Sequence, residues 1–250
     1  MNITILTYDS IDSTNTEALK QARQGADEGL CIVAREQTAG RGRHGRAWVS
    51  EKDTGLYFSI VLRPKVKTES IPLITLMAGV AVHDTLQELG INPDIKWVND
   101  VLVGERKISG ILAEATETPT GVAVVVGIGV NVRPSASAPG TATSIQENVP
   151  VPAFESIQNS LIKFLSYFYN VFNTDSAQII EEWRRRSTYF AGKDVQVRLE
   201  NKAIIGTTDG LEMNGALRIR SANGDVTIVQ AGDVESLRAT GSRQLSTDSR

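Results

Sequence analysis

The sequence has 250 residues, of which 41% are hydrophobic and 22% charged, and its net charge is −3. This composition is typical of a globular protein with one large domain or a large and a small one, and the slightly acidic balance argues against a protein that works by broad attraction to nucleic acid. A single cysteine excludes an intrachain disulfide, and because neither a signal peptide nor an apolar run of about 18 residues is found, we expect a cytoplasmic protein without a membrane segment.

Helix and strand patterns alternate over the first two-thirds of the chain. The segment Thr14-Asn15-Thr16-Glu17 is typical of a capping box and predicts a helix that Gly25 ends. Pro72 predicts the start of a second helix that closes at Gly90. Short apolar runs predict strands at residues 30–34, 56–62, 95–98, 101–103, 107–112 and 122–126. Cys31, inside the first of these strands, is expected to be a buried and unreactive thiol. Two helices follow, a strongly periodic one around residues 157–172 and a shorter one over residues 177–186.

The pattern changes after Tyr189. Apolar and polar residues then alternate in short runs, and Asn214-Gly215 and Asn223-Gly224 are strong indicators of hairpin turns. Five strands in about fifty residues predict a small barrel of the SH3-like kind. The polar residues 239–250 are expected to be disordered. The sequence therefore predicts a larger domain over residues 1–188, a small β-domain over residues 189–238 and a tail.

The most distinctive segment is Gly40-Arg41-Gly42-Arg43-His44-Gly45-Arg46-Ala47-Trp48. Glycines allow the backbone to approach a ligand closely, arginines bind carboxylate or phosphate oxygens in pairs, and a tryptophan offers a face for stacking. The glycine spacing also fits G-x-G-x-x-G, but a strand rather than a helix follows, and no V-A-I-K lysine follows as in kinases. An ordered loop over an anionic small molecule is therefore favoured over a disordered nucleic-acid-binding segment or a plain solvated loop.

Three further segments are candidates for the same site, and each also has an ordinary structural explanation. Residues 12–15 lie at a helix start, where free N–H groups hold polar ligands, although Thr14 can simply cap the helix. Asp100 and Lys107 flank a predicted hairpin turn at Gly104-Glu105, so the lysine is either held toward a phosphate or part of a cross-strand ion pair. Residues 127–131, Gly-Ile-Gly-Val-Asn, lack the third glycine and the helix of a dinucleotide site, which leaves a close approach of backbone to ligand.

In their residue patterns and their order along the chain, these segments resemble the motifs of the biotin protein ligases, that is, biotin–[acetyl-CoA-carboxylase] ligase. The family pattern combines D-S-T-N, Q-x-x-G-R-G-R-x-G-R-x-W, K-W-P-N-D followed by R-K-(apolar)-x-G-I-L, and G-I-G-x-N. The matching segments are Asp12 to Asn15, Gln37 to Trp48, Lys96 to Asp100, Arg106 to Leu112 and Gly127 to Asn131. Residues 232–238 also resemble the end of the family's small barrel. Val98 stands where proline is usual, and because the resemblance begins almost at Met1, we expect no N-terminal helix-turn-helix domain and no DNA-binding role.

The resemblance implies an α+β fold, a mixed β-sheet flanked by helices as in class II synthetases, with a small C-terminal SH3-like β-barrel. Residues 1–188 are then the catalytic domain. ATP activates biotin to biotinyl-5′-AMP, and biotin moves to a specific lysine of a biotin carboxyl carrier protein. Mg²⁺ is expected mainly on the phosphates, and a homodimer stays open because some members of the family pair through sheet edges.

The resemblance also implies roles for individual residues. Lys107 and Arg43 are the implied catalytic residues, with Lys107 bridging the biotin carboxylate and the α-phosphate. The implied biotin-binding residues are Ser13, Thr14, Asn15, Gln37, Gly40, Arg41, Gly42, Arg43, Lys107 and Gly110. The implied ATP- and adenylate-binding residues are Arg41, Arg43, Arg46, Trp48 stacked on adenine, Asn99, Asp100 and Asn131.

Three other functions are compatible with parts of the same sequence. A lipoate protein ligase shares the fold and the adenylation chemistry, but the arginine-glycine loop and the K-W-x-N-D segment are of the biotin type. A nucleic-acid-binding module with a basic loop is disfavoured by the acidic net charge. A biotin sensor without activity stays open as a third alternative, but no missing site residue supports it.

Overall fold

A seven-stranded mixed β-sheet forms the larger part of the molecule in the computed structural model, which describes residues 1–199 and 202–236. Its strands are β1 (Thr4–Tyr8), β2 (Leu30–Ala34), β3 (Gly55–Leu62), β4 (Asp94–Lys96), β5 (Asp100–Val103), β6 (Arg106–Thr118) and β7 (Gly121–Asn131). They follow the order β1-β2-β3-β7-β6-β5-β4. Only β1 and β2 run parallel, and the other neighbours are antiparallel. The predicted mixed sheet is thus confirmed.

Helices cover both faces of this sheet. Helix α1 (Thr14–Arg23) packs on one face, and α2 (Leu73–Glu88) packs on the other, with α3 (Phe154–Thr174) and α4 (Gln178–Arg184) against it. Helix α2 is buried on nearly all sides, because it lies between the sheet and these two helices. The predicted Trp183 is fully buried in α4. Sequence patterns had predicted a helix at each of these four places.

Strand β7 shows how the two faces differ. Val124, Val126, Ile128 and Val130 point into the large core shared with α2, whereas Ala123 and Val125 lie under α1. Gly127 and Gly129 follow Ala123 and Val125 on the same face of the strand, the face that carries α1. Beyond the start of α1, this face of β7 therefore has no side chains. This bare stretch of sheet is where the candidate site lies.

The C-terminal region forms a second sheet of five antiparallel strands. They are β8 (Ala191–Arg198), β9 (Ala203–Leu211), β10 (Leu217–Arg220), β11 (Val226–Val229) and β12 (Asp233–Ser236). The order is β11-β10-β9-β8-β12. The five strands and both Asn-Gly turns are as predicted, and among residues 191–199 and 202–236 no pairing that would close the barrel joins β11 to β12. The predicted disordered tail, residues 239–250, and the last two residues of the C-terminal motif, 237 and 238, lie outside the described residues.

The two sheets share one apolar core. Val195, Val197 and Val234 of the second sheet are buried in the same cluster as Ile95 and Trp97 of the larger part. The indole Nε1 of Trp97 donates a buried hydrogen bond of 2.9 Å to the carbonyl oxygen in the Asn-Gly turn between β9 and β10. The predicted domain boundary therefore crosses a continuous core rather than a solvated linker.

The cap of α1 and the lengths of β6 and β7 differ from the sequence predictions. The N-cap of α1 is Ser13, whose hydroxyl accepts from the Thr16 N–H, so the capping box at Thr14 is wrong by one residue. Thr14 is instead the first helical residue, and its hydroxyl binds groups of the site. Strand β6 extends to Thr118 and β7 to Asn131, because the two strands pair over their whole length.

Cys31 is fully buried, and burial raises the pKa of its thiol to about 12, as expected of an unreactive cysteine. Among the described residues, no helix is both long and apolar enough to span a membrane.

Candidate active site

Three glycines form a floor of bare backbone on the α1 face of the larger sheet. Gly110 of β6 is paired with Gly129 of β7, and Gly127 lies two residues before it. A Cβ at Gly129 would lie 2.4 Å from two atoms of the Trp48 ring, and one at Gly127 would lie 2.1 Å from Asn15 Oδ1. Sequence analysis had assigned the close approach at residues 127–131 to a ligand. In the structure the chain's own side chains make that approach, and they line the space above the floor.

A polar network holds one end of the site at the start of α1. Gln37 Oε1 accepts from both the N–H (2.8 Å) and the hydroxyl (3.1 Å) of Thr14, and its Nε2 donates to the Ser50 hydroxyl at 2.8 Å. The fully buried Ser59 hydroxyl is 2.7 Å from both Thr14 Oγ1 and Asn15 Oδ1. These bonds fix donors and acceptors at the helix N-terminus, where a polar ligand group is favoured.

Residues 40–48, called the basic loop from here on, lie over the glycine floor as an ordered turn. A 3₁₀ turn spans Arg43–Gly45, and the Gly42 N–H donates to the Arg46 carbonyl at 2.7 Å. His44 has φ of 53°, a left-handed conformation that is uncommon for a residue with a side chain, and Gly45 follows it with φ of 72°. The tip of the loop therefore turns sharply and sends its arginines in different directions.

Each arginine of the loop is already paired with a protein group. Arg41 forms a 2.6 Å ion pair with Glu114 of β6, whose other oxygen accepts from Asn15 at 2.9 Å. Arg43 Nη1 donates to Asn99 Oδ1 at 2.9 Å, and Arg46 forms an ion pair with Asp233 of β12. Burial lowers the pKa of the Arg43 guanidinium, although the nearby Asp233 and Asp100 oppose this change. Guanidinium stays protonated at any working pH, so Arg43 is a half-buried positive charge.

Lys107 is held by a carboxylate that it shares with a second lysine. Asp100 accepts from Lys107 Nζ at 2.6 Å and from Lys96 Nζ at 3.3 Å. Burial opposes the negative charge of Asp100, but the two ammonium groups outweigh it and hold its pKa below the ordinary value of 3.8. Lys107 Nζ also lies 5.3 Å from the centroid of the Trp48 ring, a cation–π distance. The ammonium is thus fixed from two sides.

Two cavities meet at Lys107 and Trp48, which line both. The first lies over the glycine floor, between the start of α1 and the basic loop, and the second lies between β6 and the loop after β7, around residues 133–144. The indole Nε1 of Trp48 is buried and has no hydrogen-bond partner among the residues the structure describes. A ligand that spans both cavities would therefore pass the ammonium of Lys107.

The structure brings together most of the residues implied by sequence. The predicted residues that line the first cavity are Ser13, Thr14, Asn15, Gln37, Arg41, Gly42, Arg43, Arg46, Trp48, Asn99, Asp100, Lys107 and Gly110. Gly40 does not line it, because it is buried behind Trp48 and Ser50, where a Cβ would meet the Trp48 carbonyl oxygen at 2.4 Å. Asn131 lines the second cavity, and its amide donates to the carbonyl oxygens of Lys107 (3.3 Å) and Thr143 (3.0 Å).

Sequence analysis missed the groups that support these residues. Glu114, Ser59 and Asp233 each bind one or more site residues, but they come from different strands and carry no local motif. Only Asp233 stood in a segment that had been singled out, the C-terminal one. Among the described residues, no cluster of three or more histidine, cysteine, aspartate or glutamate side chains is arranged to hold a metal ion.

Comparison with known proteins gives consistent relatives. Residues 7–131 match the model of the Biotin/lipoate A/B protein ligase family. The bifunctional ligase/repressor BirA of Bacillus subtilis is 42% identical over 111 residues, which cover 44% of this chain and 34% of that protein, so the match spans about a third of this relative. Biotin–[acetyl-CoA-carboxylase] ligase of Mycobacterium tuberculosis is 32% identical over 90% of this chain and 86% of its own length.

A solved structure extends the similarity over the whole fold. The biotin protein ligase of Aquifex aeolicus, in complex with biotin and ATP, superposes with a TM-score of 0.79 and 28% identity, covering 94% of this chain and 99% of that one.

Proposed function

Because the chain belongs to the Biotin/lipoate A/B protein ligase family, we propose that it activates biotin with ATP and transfers it to a lysine of a biotin carboxyl carrier protein. In the first reaction the biotin carboxylate attacks the α-phosphate, giving biotinyl-5′-adenylate and pyrophosphate. In the second, the amine of the acceptor lysine attacks the biotinyl carbonyl carbon and AMP leaves.

The observation that carries the proposal is the meeting of two cavities at Lys107. Joining a carboxylate to a phosphate brings two negative charges together, so positive charge placed beforehand is the main catalytic requirement. Lys107 Nζ is held at 2.6 Å by Asp100, and Arg43 is held by Asn99, so neither cation has to reorganise during the reaction. We assign the reacting carboxylate and α-phosphate to this junction, with biotin in the first cavity and the rest of ATP in the second.

The far end of the first cavity suits the head group of biotin. Thr14, Gln37 and Asn15 offer hydrogen-bonding groups there, and the charge of Arg41 is offset by Glu114. The ureido ring of biotin is uncharged and has both N–H donors and a carbonyl acceptor. The dithiolane ring of lipoate has neither, so it could add no hydrogen bonds to these polar groups, and a site built to bind polar groups of a substrate disfavours an analogue that lacks them. The arrangement therefore supports biotin as the substrate.

The basic loop would keep the intermediate away from water. A mixed anhydride hydrolyses easily, and a loop closed over it prevents that side reaction. Arg43 and Gly42 are parts of this cover, so we expect Arg43→Ala or Gly42→Ala to release adenylate into solution. Unchanged release of free intermediate by both variants would contradict this role of the loop.

Several finer features belong to the same proposal. Mg²⁺ would enter on the polyphosphate of ATP, since Asp100, Asp233 and Glu147, the carboxylates that line the two cavities, are already paired with cations. The acceptor would be the carrier domain of a carboxylase such as acetyl-CoA carboxylase, in the cytoplasm.

One observation supports pairing of two copies of the chain: β1 is an edge strand whose residues 4–7 are exposed. Analytical ultracentrifugation would test whether the protein is a dimer.

The decisive experiment is isotope exchange of pyrophosphate into ATP, with Mg²⁺ and either biotin or lipoate. We expect exchange with biotin alone. Exchange with lipoate alone would assign the chain to the other branch of the family, and exchange with neither would refute adenylation by this protein. Omitting Mg²⁺ is expected to abolish the signal.

A pair of lysine variants tests the assignment of the junction. Lys107→Ala is expected to lower biotin-dependent exchange about 100-fold or more, the loss typical of a preorganised electrostatic group, without loss of the fold. Lys96→Ala is the matched control, because Lys96 also pairs with Asp100 but does not line either of the two cavities. Equal loss in both variants, or near-normal exchange by Lys107→Ala, would remove Lys107 from the mechanism.

A further inference from the structure

The tip of the basic loop is tied to the second sheet. Arg46 forms an ion pair with Asp233, and Arg43 Nη1 donates to the Gly232 carbonyl oxygen at 3.4 Å. These contacts join residues that are 187 and 189 positions apart in the chain. The loop that covers the site is therefore held, at its outer end, by a part of the protein that contributes no other side chain to the first cavity.

The two sides of this contact differ in how firmly they are held. Asp233 opens β12, which pairs with β8 through Asp233–Arg198 and Val234–Val197, and Val234 is buried in the common core. On the other side, Arg41 and residues 44–47 of the loop are all exposed. The loop tip is thus the part free to move, and Asp233 sits on a fixed strand.

We propose that Asp233 is a positioning residue for the reaction: through Arg46 it latches the basic loop to the second sheet, and this latch slows escape of the activated intermediate. The inference rests on the proposed function, since the retained species is the adenylate. It assigns the second sheet a part in retaining the intermediate. Arg46 is 66% exposed in its side chain and Asp233 31%, so the pair is partly solvated. An exposed pair of this kind is expected to change the open population of the loop by a factor of about 1.5 to 5.

The test compares Asp233→Ala with Glu235→Ala, a matched control on the same strand. Glu235 also forms an ion pair, with Arg198, but that partner lies in the second sheet and not in the loop. The first readout is release of adenylate, measured as biotin transfer to an unrelated protein such as serum albumin in the absence of carrier. The second is the rate at which trypsin cleaves the loop in the ligand-free protein, which follows the open population when opening and closing are fast.

We expect Asp233→Ala to raise both rates about 1.5- to 5-fold and Glu235→Ala to change neither. Asp233→Glu, which keeps the carboxylate, should restore values close to those of the unaltered protein. In an Arg46→Gln background, Asp233→Ala should add nothing to the release rate, because the contact is already absent. A structural role of Asp233 alone would not show this dependence on Arg46.

Two results would overturn the proposal. One is that Asp233→Ala matches Glu235→Ala in both rates, and the other is that its effect persists undiminished in the Arg46→Gln background. If Asp233→Ala does not fold, as judged by thermal unfolding, Arg46→Gln is compared with Asp233→Glu instead. Faster release of adenylate by Arg46→Gln would support the proposal, and equal release by the two variants would overturn it. Failure of the unaltered protein to exchange pyrophosphate with biotin would refute the proposed function, and the trypsin readout would still judge the latch.

Discussion

Adding one methyl group at Gly129 should separate the stability of the fold from the closure of the loop. In the structure a Cβ at this position would lie 2.4 Å from Trp48 Cε2 and Nε1 and 2.7 Å from Cζ2, whereas ordinary contact begins near 3.4 Å. Strand β7 pairs with β3 on one side and with β6 on the other, so its backbone is not free to retreat. In Gly129→Ala the indole has to move, and the loop moves with it.

The magnitude follows from this overlap. Forcing an extra carbon into a packed contact typically costs about 1–3 kcal/mol. Because the loop tip is exposed, opening of the loop relieves the overlap more easily than a change in the core does. The ratio of closed to open loop should then fall by about fivefold to 150-fold, while the free energy of unfolding changes little.

Three measurements follow from that expectation for Gly129→Ala. Urea unfolding should be nearly unchanged, release of adenylate should rise by at least fivefold, and trypsin should cleave the loop faster. Trp48→Ala supplies the control, because removal of the indole removes the clash, so Gly129→Ala should have no further effect in that background. Adenylate release within twofold of the unaltered protein would refute the placement of Trp48 on Gly129.

The remaining predictions concern acid stability, the head-group pocket and the shared core. The folded-state pKa of Asp100 lies below its ordinary value of 3.8, so its charge stabilises the fold above that pH and the stabilisation is lost as the pH falls through the folded-state value. Lys107→Met removes one ammonium and should raise the midpoint of acid unfolding followed by circular dichroism. Gly127→Ala would place a Cβ 2.1 Å from Asn15 Oδ1 and should weaken biotin binding in calorimetry at least tenfold, about 1.4 kcal/mol. Trp97→Phe removes the donor to the turn of the second sheet and should lower the free energy of unfolding by about 1–3 kcal/mol in one transition.

Each of these has a comparison that can contradict it. Lys20→Met removes the same charge from a lysine that is 60% exposed, and an equal shift of the acid midpoint would show that net charge, and not Asp100, is responsible. Unaltered biotin affinity in Gly127→Ala would mean that Asn15 is not held where the structure has it. Two separate unfolding transitions in Trp97→Phe would argue against a shared core.

Local patterns were sufficient to predict most of the secondary structure. The apolar runs of β2 and β3, the periodic face of α3 and the Asn-Gly turns each depend on neighbours in the sequence, which is why they could be predicted. The cap of α1 was misplaced because serine and threonine stand side by side at positions 13 and 14, and both are good caps. The deciding contact is with Gln37, 23 positions later in the sequence, whose side-chain oxygen accepts a hydrogen bond from the Thr14 hydroxyl.

The candidate site was predictable in its motifs and not in its contacts. The basic loop and the segment around Lys107 have distinctive residue patterns and can be recognised from the sequence. Glu114 and Asp233 acquire their roles only when β6 and β12 approach the loop. The glycines of β7 show the same limit. Their pattern indicated a close approach, but only packing reveals that Asn15 and Trp48 are the groups that approach. Which strands of the second sheet pair is likewise a matter of long-range contacts that turn signals do not determine.

The floor of Gly110, Gly127 and Gly129 also constrains how this pocket can evolve. Where a cavity is walled by side chains, substitution can widen or narrow it in small steps. Here the deepest surface is main chain, so any substitution adds atoms and the pocket can only become shallower. Variants that accept a bulkier ring must therefore change the loop or the start of α1, and directed evolution toward biotin analogues should find its productive changes there, with these three positions staying glycine.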